Sequence, residues 1–338
     1  MSFRITLQPG GQHFDARADQ TVLEAALAAG FIVPYGCRDG ACGACKARIE
    51  RGTIDQGSIS EGALTPAEIA SGQALLCQAR ACSDLEVTVR SITRAGAIAV
   101  KKLPCRVQSI ERAASDVIVM HLKLPASDKF AFRAGQYIDF VLDEGRRRSF
   151  SIANAPAVDG HIEVHVRRID GGRFTGRIFE QMKPREILRF EGPLGSFALS
   201  DDDSRPTILL AGGTGFAPIK SIVEDCIASG RRREFALYWG ARTPDGLYMD
   251  ELARRWASEL PGFNYVPVVS DARAEDGWTG RTGLVHHALM ADYSDLSAFE
   301  VYACGAPAMI DAARTDLVRR CALSSEAFFA DAFTFAGN

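Results

Sequence analysis

Four cysteines, Cys37, Cys42, Cys45 and Cys77, follow the spacing C-x4-C-x2-C-x31-C. Three thiolates on a tight loop and a fourth arriving from a distance is the arrangement that holds a [2Fe–2S] cluster. The loop GCRDGACGAC suits that task, because Gly36, Gly40 and Gly43 let backbone N–H groups approach the sulfurs without side-chain clashes. A structural zinc site favours paired C-x2–4-C knuckles instead, and Cys77 has only Cys82 nearby. Cys82, Cys105, Cys226, Cys304 and Cys321 are scattered, and each is expected to be a buried, inert thiol.

Two further stretches carry chemistry. Arg146–Ser151 reads RRRSFS at the start of an expected strand, where alternation puts Arg148 and Phe150 on one face. An arginine can fork onto a flavin pyrophosphate. Phe150 can pack on the isoalloxazine ring, and Ser151 can hydrogen-bond near its N5. Residues 209–222, LLAGGTGFAPIKSI, read as strand, glycine turn and helix. Gly212, Gly213 and Gly215 permit the tight turn, and the helix past Pro218 turns its N-terminus to an anion. The fingerprint G-x-G-x-x-G fails here, because Pro218 stands at its last glycine.

The elements that must position these groups come in three textures. FRITLQPGGQHFDAR alternates about a Pro9-Gly10-Gly11 turn, Thr21–Phe31 has helical periodicity ending on Gly30, and residues 85–92 read as a strand. Residues 94–102 read as a linker. From Leu103 to about residue 200, short alternating runs punctuated by Pro125, Gly135, Gly145, Gly160 and Gly171-Gly172 predict an antiparallel barrel. From residue 201, the apolar strands TILLAGG, FALYWG, NYVPVV and EVYACG alternate with helices predicted over 218–229, 248–259, 283–290 and 306–320. That alternation means a parallel sheet with helices on both faces.

At 338 residues, 47% apolar and 24% charged, the chain can bury several cores, which argues against disorder. A formal charge of −3 without a long basic block argues against a nucleic-acid partner. The N-terminus lacks a signal-peptide layout, and no stretch approaches the ~20 apolar residues of a membrane helix. The expectation is a cytoplasmic protein with no membrane partner. Residues 1–100 hold 9 Lys/Arg and 10 Asp/Glu, so strong electrostatic steering of a partner is not implied.

Hairpin, helix, cysteine loop and late strand resemble the β-grasp fold of plant-type ferredoxins, with Gly36 where those proteins commonly carry Ser. The remainder resembles the ferredoxin–NADP reductase superfamily. R-x-F-S has Phe150 for the commoner Tyr, and GGRFT (171–175) is similar to that family's second flavin segment. The stretch 212–218 matches its G-G-T-G-x-A-P signature, and VYACGAPAMI carries its C-G-x-P-x-M. The tail FFADAFTFAGN resembles its closing E-x-Y/F segment, with Asp331 for Glu and Phe333 as the aromatic that covers the flavin.

The resemblance implies three domains: a β-grasp ferredoxin (α+β) over 1–93, an antiparallel β-barrel FAD domain over 103–200, and an α/β parallel-sheet NAD domain over 201–338. It implies FAD contacts from Arg148, Ser149, Phe150, Ser151, His165, Arg167, Gly172, Arg173, Phe174, Thr175 and Phe333. Gly172 and Thr175 would meet the pyrophosphate. Nicotinamide contacts fall to Gly212, Gly213, Thr214, Gly215, Pro218, Asp271, Cys304 and Gly305, with Ser151, Cys304 and Asp331 nearest the chemistry. Asp271 after Ser270 favours NADH, since a carboxylate repels a 2′-phosphate and accepts from a 2′-hydroxyl. The domain order is similar to reductases of bacterial ring-hydroxylating oxygenases and of CDP-deoxysugar 3-dehydration. Electrons would then run from NADH to FAD to [2Fe–2S] and on to a separate oxygenase component. A dehydratase as acceptor is one alternative, and a stand-alone diaphorase with a docking ferredoxin domain is another.

Overall fold

The computed structural model describes residues 1–94, 98–143, 146–156, 160–202 and 204–333. The chain forms two compact units: one is 1–99 with 195–197 and 330–333, and the other holds most of the rest. Residues 95–97 of the expected linker, Gly145 and the end of the tail lie outside the described residues. Of the linker's other residues, Arg94 pairs with Phe31, and Lys101 and Lys102 already belong to a strand.

In the first unit, Ser2–Gln8 and Gln12–Arg17 form the expected hairpin, with Gly10 and Gly11 at φ 115° and 67°. Leu85–Thr88 runs parallel to the first strand, and Lys46–Arg51 and Gln73–Leu75 complete a five-stranded mixed sheet. The helix Val22–Ala28 starts at a capping box between Thr21 and Glu24 and buries Val22, Leu23, Ala25 and Ala26. Those side chains join Ile5, Leu7 and Val87 in one core, which gives the β-grasp arrangement. Cys82 departs from expectation. Its thiol is exposed, because the alternation that buries Ala81 turns the next side chain outward.

The second unit begins with six antiparallel strands. In sheet order they are Arg147–Ser151, Tyr137–Val141, Ile187–Leu194, Lys101–Ala114, Val117–Lys123 and His161–Arg167. A bridge between Ile152 and Val164 joins the two ends, so the sheet closes on itself around Ile138, Phe140, Val164 and Phe190. Closure leaves no edge strand to pair elsewhere.

Next comes a sheet ordered Arg281–Thr282, Phe263–Val269, Phe235–Ala241, Thr207–Gly212, Glu300–Gly305 and Phe328–Ala332, the first five parallel. The helices are Phe216–Ser229, Asp250–Glu259, Val285–Asp292 and Pro307–Arg320. The first starts earlier than expected. Gly213–Gly215 form a 3-10 turn that runs straight into it, leaving Pro218 in its first turn, where a missing N–H costs nothing.

Gly215 has φ −58°, so its backbone suits any residue, yet a Cβ there would overlap the Cys304 carbonyl. The glycine is required by close approach. Gly215→Ala should force the turn off the strand end and cost at least about 1–3 kcal/mol. Thermal unfolding measures this, and an unchanged Tm would mean that turn and strand do not touch.

Candidate functional site

Cys37, Cys42 and Cys45 lie on the loop between Phe31–Ile32 and Lys46–Arg51, and Cys77 follows the strand Gln73–Leu75. Cys42, Cys45 and Cys77 are buried and Cys37 is half-buried. The sulfurs meet as two pairs. A hydrogen bond with Cys37 pulls the Cys42 thiol down, one with Cys45 does the same for Cys77, and Cys37 and Cys45 are pushed up. Three thiols on one loop with a fourth brought from a distant segment is the ligand set of a [2Fe–2S] cluster. The Cys37 and Ala44 N–H groups point at Cys42 Sγ from 3.4 and 3.5 Å. Gly40 and Gly43 hold φ 80° and 72° to make the turns. A Cβ on Gly36 would sit 3.2 Å from Cys42 Sγ and 3.3 Å from Asp331 Oδ1. Asp331 therefore belongs to the wall of the cysteine loop, buried, with desolvation pushing its carboxyl up to about 7.

On the flavin strand, Arg148 and Phe150 share the half-buried face, as alternation requires. Ser149 donates to Asp139 Oδ1 at 2.6 Å, and Arg147 pairs with Glu191 at 2.8 Å. Arg148 donates to the Arg147 carbonyl at 2.8 Å and has no ion-pair partner among the described residues, which leaves its charge for an anion. Ser151 is buried. Phe150 packs between Phe140 and Phe174 at 5.6 and 6.0 Å. Phe174 opens the helix Arg173–Glu180, whose N-cap Gly172 supplies no side-chain cap. The first-turn N–H groups are thus left for an external acceptor. Thr175 Oγ1 is already engaged, accepting from the Ile169 N–H and donating to the Gly172 carbonyl. Arg173 is exposed, and Phe333 is half-buried.

His165 and Arg167 face the glycine turn. A Cβ on Gly213 would lie 2.6 Å from Arg167 Nη1, and Arg167 also pairs with Asp116 at 3.2 Å. His165 is fully enclosed, with Nδ1 2.8 Å from Tyr248 Oη and Nε2 2.8 Å from Glu163 Oε1. Both ring nitrogens are engaged by neighbouring side chains. Lys220 Nζ reaches Glu163 at 3.1 Å and Glu224 at 2.8 Å. Ser221 donates to the Asn154 carbonyl at 2.7 Å, and Asn154 Oδ1 accepts the Glu163 N–H at 2.8 Å. Sequence reasoning missed Asn154, Glu163, Lys220, Ser221 and Tyr248. The available signal was Lys220 in the apolar run FAPIKSIV, since a lysine among buried residues requires a partner.

The glycine turn lies at the carboxyl end of Thr207–Gly212. Chain order reverses there, with Phe235–Ala241 on one side and Glu300–Gly305 on the other. Ligands of open parallel sheets bind at such a point. Gly212 and Gly305 both approach Met309, and Cys304 is fully buried at the adjacent strand end. Thr214 is buried, Trp239 donates to the Gly213 carbonyl at 2.9 Å, and Phe216 stacks on Trp239 at 3.9 Å. Asp271 follows the strand Phe263–Val269 and is 54% exposed, 3.7 Å from Arg242.

Cluster loop, flavin barrel and nicotinamide sheet, in that order along one chain, define an iron–sulfur flavoprotein oxidoreductase. Residues 5–82 match the 2Fe-2S iron-sulfur cluster binding domain, 104–199 the oxidoreductase FAD-binding domain, and 209–315 the oxidoreductase NAD-binding domain. The chain belongs to the family of three-domain iron–sulfur flavoprotein reductases that includes the CDP-6-deoxy-L-threo-D-glycero-4-hexulose-3-dehydrase reductase of Yersinia pseudotuberculosis. The two are 43% identical over 333 residues, 98% of this chain and 99% of that protein. The terephthalate 1,2-dioxygenase reductase component 2 of a Comamonas species is 38% identical over 335 residues, 98% of each. The crystal structure of an Amycolatopsis cytochrome P450 reductase matches with TM-score 0.80 and 35% identity, covering 99% of this chain and 100% of that one.

Burial alone would raise Glu163, but hydrogen bonds and charge from His165 and Lys220 outweigh it and hold the carboxyl at about 2. Its stabilisation is present above the unfolded value near 4.3 and is lost as pH falls towards 2. Burial lowers His165, so the fold favours the neutral ring, and that contribution fades below about 6.5. Lys220→Met should strand the Glu163 charge and cost about 3–5 kcal/mol. Lys220→Met with Glu163→Gln should recover part of the loss, and the single variant should lose more unfolding free energy at pH 7 than at pH 4. Urea unfolding at both pH values measures this, and equal losses for single and double variants would refute the pairing.

Proposed function

We propose that this reductase takes electrons from NADH and hands them singly to a separate acceptor protein, a terminal oxygenase component, inside the cytoplasm. The observation that carries the reading is the convergence of Cys37, Cys42, Cys45 and Cys77 on one loop and the strand end beside it, in one chain with the flavin and nicotinamide domains. When bound, FAD accepts a hydride's two electrons and the [2Fe–2S] cluster carries one at a time. The chain's own residues supply alignment. In this reading Arg148 and the N–H groups after Gly172 hold the FAD pyrophosphate, with Phe150 against the ring and Ser151 beside it. The Gly212–Gly215 turn takes the dinucleotide pyrophosphate, and Cys304 and Gly305 flank the nicotinamide. The domain limits we adopt are 1–93, 103–200 and 201–338, with 94–102 as linker. Nine free cysteines suit a reducing compartment, and no helix among the described residues is long and apolar enough to cross a membrane.

A second acceptor, a deoxysugar 3-dehydrase, is favoured by the 43% identity to the Yersinia reductase against 38% for the Comamonas one. NADH-driven turnover of each purified acceptor, with this protein as the sole reductase, separates the two. The route itself is tested by Cys77→Ser. Ferricyanide reduction by NADH should survive and reduction of cytochrome c should collapse, with FAD content unchanged. A cytochrome c rate that survives without the cluster would mean that electrons leave from the flavin, and the ferredoxin domain would then be a docking module.

Asp271 supports NADH as the donor, since its carboxylate repels a 2′-phosphate and accepts from a 2′-hydroxyl. We expect kcat/KM to favour NADH, and Asp271→Arg to narrow the ratio by roughly tenfold, the equivalent of about 1.4 kcal/mol. Equal use of NADPH by the unmodified protein would overturn the assignment.

A further inference from the structure

Away from the redox sites, the helices Val285–Asp292 and Pro307–Arg320 bring two imidazoles against one carboxylate. His286 Nε2 lies 3.4 Å from Asp316 Oδ2, and His287 Nε2 lies 3.8 Å from the same oxygen. The two rings touch, with centroids 4.3 Å apart at 60°. One ligand atom from each of the three residues lies within 4.8 Å of the other two. The His286 side chain is only 3% exposed, and its Nδ1 has no hydrogen-bond partner. His287 is 56% exposed, so the group opens to solvent on that side.

Hydrogen bonding alone serves this group poorly. Both rings compete for one carboxylate oxygen at distances longer than a good N–H···O bond. The other oxygen, Oδ1, faces Arg320 Nη1 at 3.8 Å and so has its own partner. A metal ion resolves the competition, because a cation accepts lone pairs from all three ligands at once. Zinc binds nitrogen at ~2.0–2.1 Å and carboxylate oxygen at ~2.0–2.2 Å, so tetrahedral ligand atoms stand ~3.4 Å apart. The observed 3.4 and 3.8 Å to Asp316 lie within a few tenths of an ångström of that separation, and the two imidazole ligand atoms lie within 4.8 Å of one another. Two imidazoles with a single carboxylate select a transition metal, since Mg2+ and Ca2+ demand oxygen-rich shells.

We propose that His286, His287 and Asp316 form a binding site for a divalent transition-metal ion, Zn2+ being the probe, with the remaining position open to water. The site pins the two helices together and is separate from the cysteine cluster. Untagged holoenzyme titrated with ZnCl2 in a calorimeter should take up one saturable equivalent beyond its iron, and its Tm should rise with Zn2+ concentration. His287→Ala changes an exposed side chain, so the protein stays folded, and affinity should fall at least ~10-fold. Asp316→Asn should do the same. Cys82→Ser, which removes the exposed thiol, should leave binding unchanged. Cu2+ in place of Zn2+ should show two nitrogen ligands by electron paramagnetic resonance, and one in His287→Ala. Absence of saturable binding, affinity indifferent to His287→Ala, or affinity lost with Cys82→Ser would each overturn the site.

Discussion

The ammonium of Lys220, buried against Glu163, is the interaction on which the flavin–nicotinamide half depends. Taking these charges out of water costs several kcal/mol per ion, and the cost is offset only by good geometry with every remaining valence filled. Here Lys220 has two carboxylates, and Glu163 also meets the enclosed ring of His165, which is in turn held by Tyr248. Glu163 and His165 belong to a barrel strand, and Lys220 belongs to the helix that leaves the glycine turn. A hydrophobic contact between the same elements tolerates sliding. A buried charge network does not, because any shift leaves a charge unpaired in a low-dielectric interior. Burial lowers the proton affinity of His165, while its hydrogen bond to Glu163 works the other way.

Glycine supplies the second constraint. At Gly213, Gly40 and Gly43 the need is a positive φ. At Gly215 and Gly36 the backbone is ordinary, and the missing side chain is what matters. Gly215 lets the turn rest on the Cys304 carbonyl, and Gly36 lets the Asp331 carboxyl approach the cysteine loop. The same residue type thus serves two physical ends within the motifs, which only the folded backbone distinguishes.

Much of this was legible in the sequence. The cysteine spacing, the hairpin, the closed antiparallel barrel and the alternating parallel sheet all rest on local periodicity or short motifs, which a chain displays openly. Arg148 and Phe150 share a face because strands alternate, and that needs no tertiary information. What the sequence did not show is of one kind. Cys82 is exposed because of which way a two-residue strand ends. His165 lies inside a charged network because partners 55 residues and more away in sequence, Lys220 and Tyr248, come to it. Asp331 reads as part of a flavin-covering tail, and its carboxyl also lines the cysteine loop. Each of these depends on contacts between distant segments, which pattern within a short window cannot encode.

The cysteine loop is bounded partly by chain made late. Tyr35 exchanges hydrogen bonds with Ser196, and Asp331 closes in beside Gly36 and Cys42. Residue 331 leaves the ribosome ~230 residues after the first 99, roughly 12–46 s later at ordinary rates of translation. Through that interval the nascent loop has its four thiols and lacks one wall. The loop that carries the cysteines is therefore finished only when chain made well after it has folded back beside it.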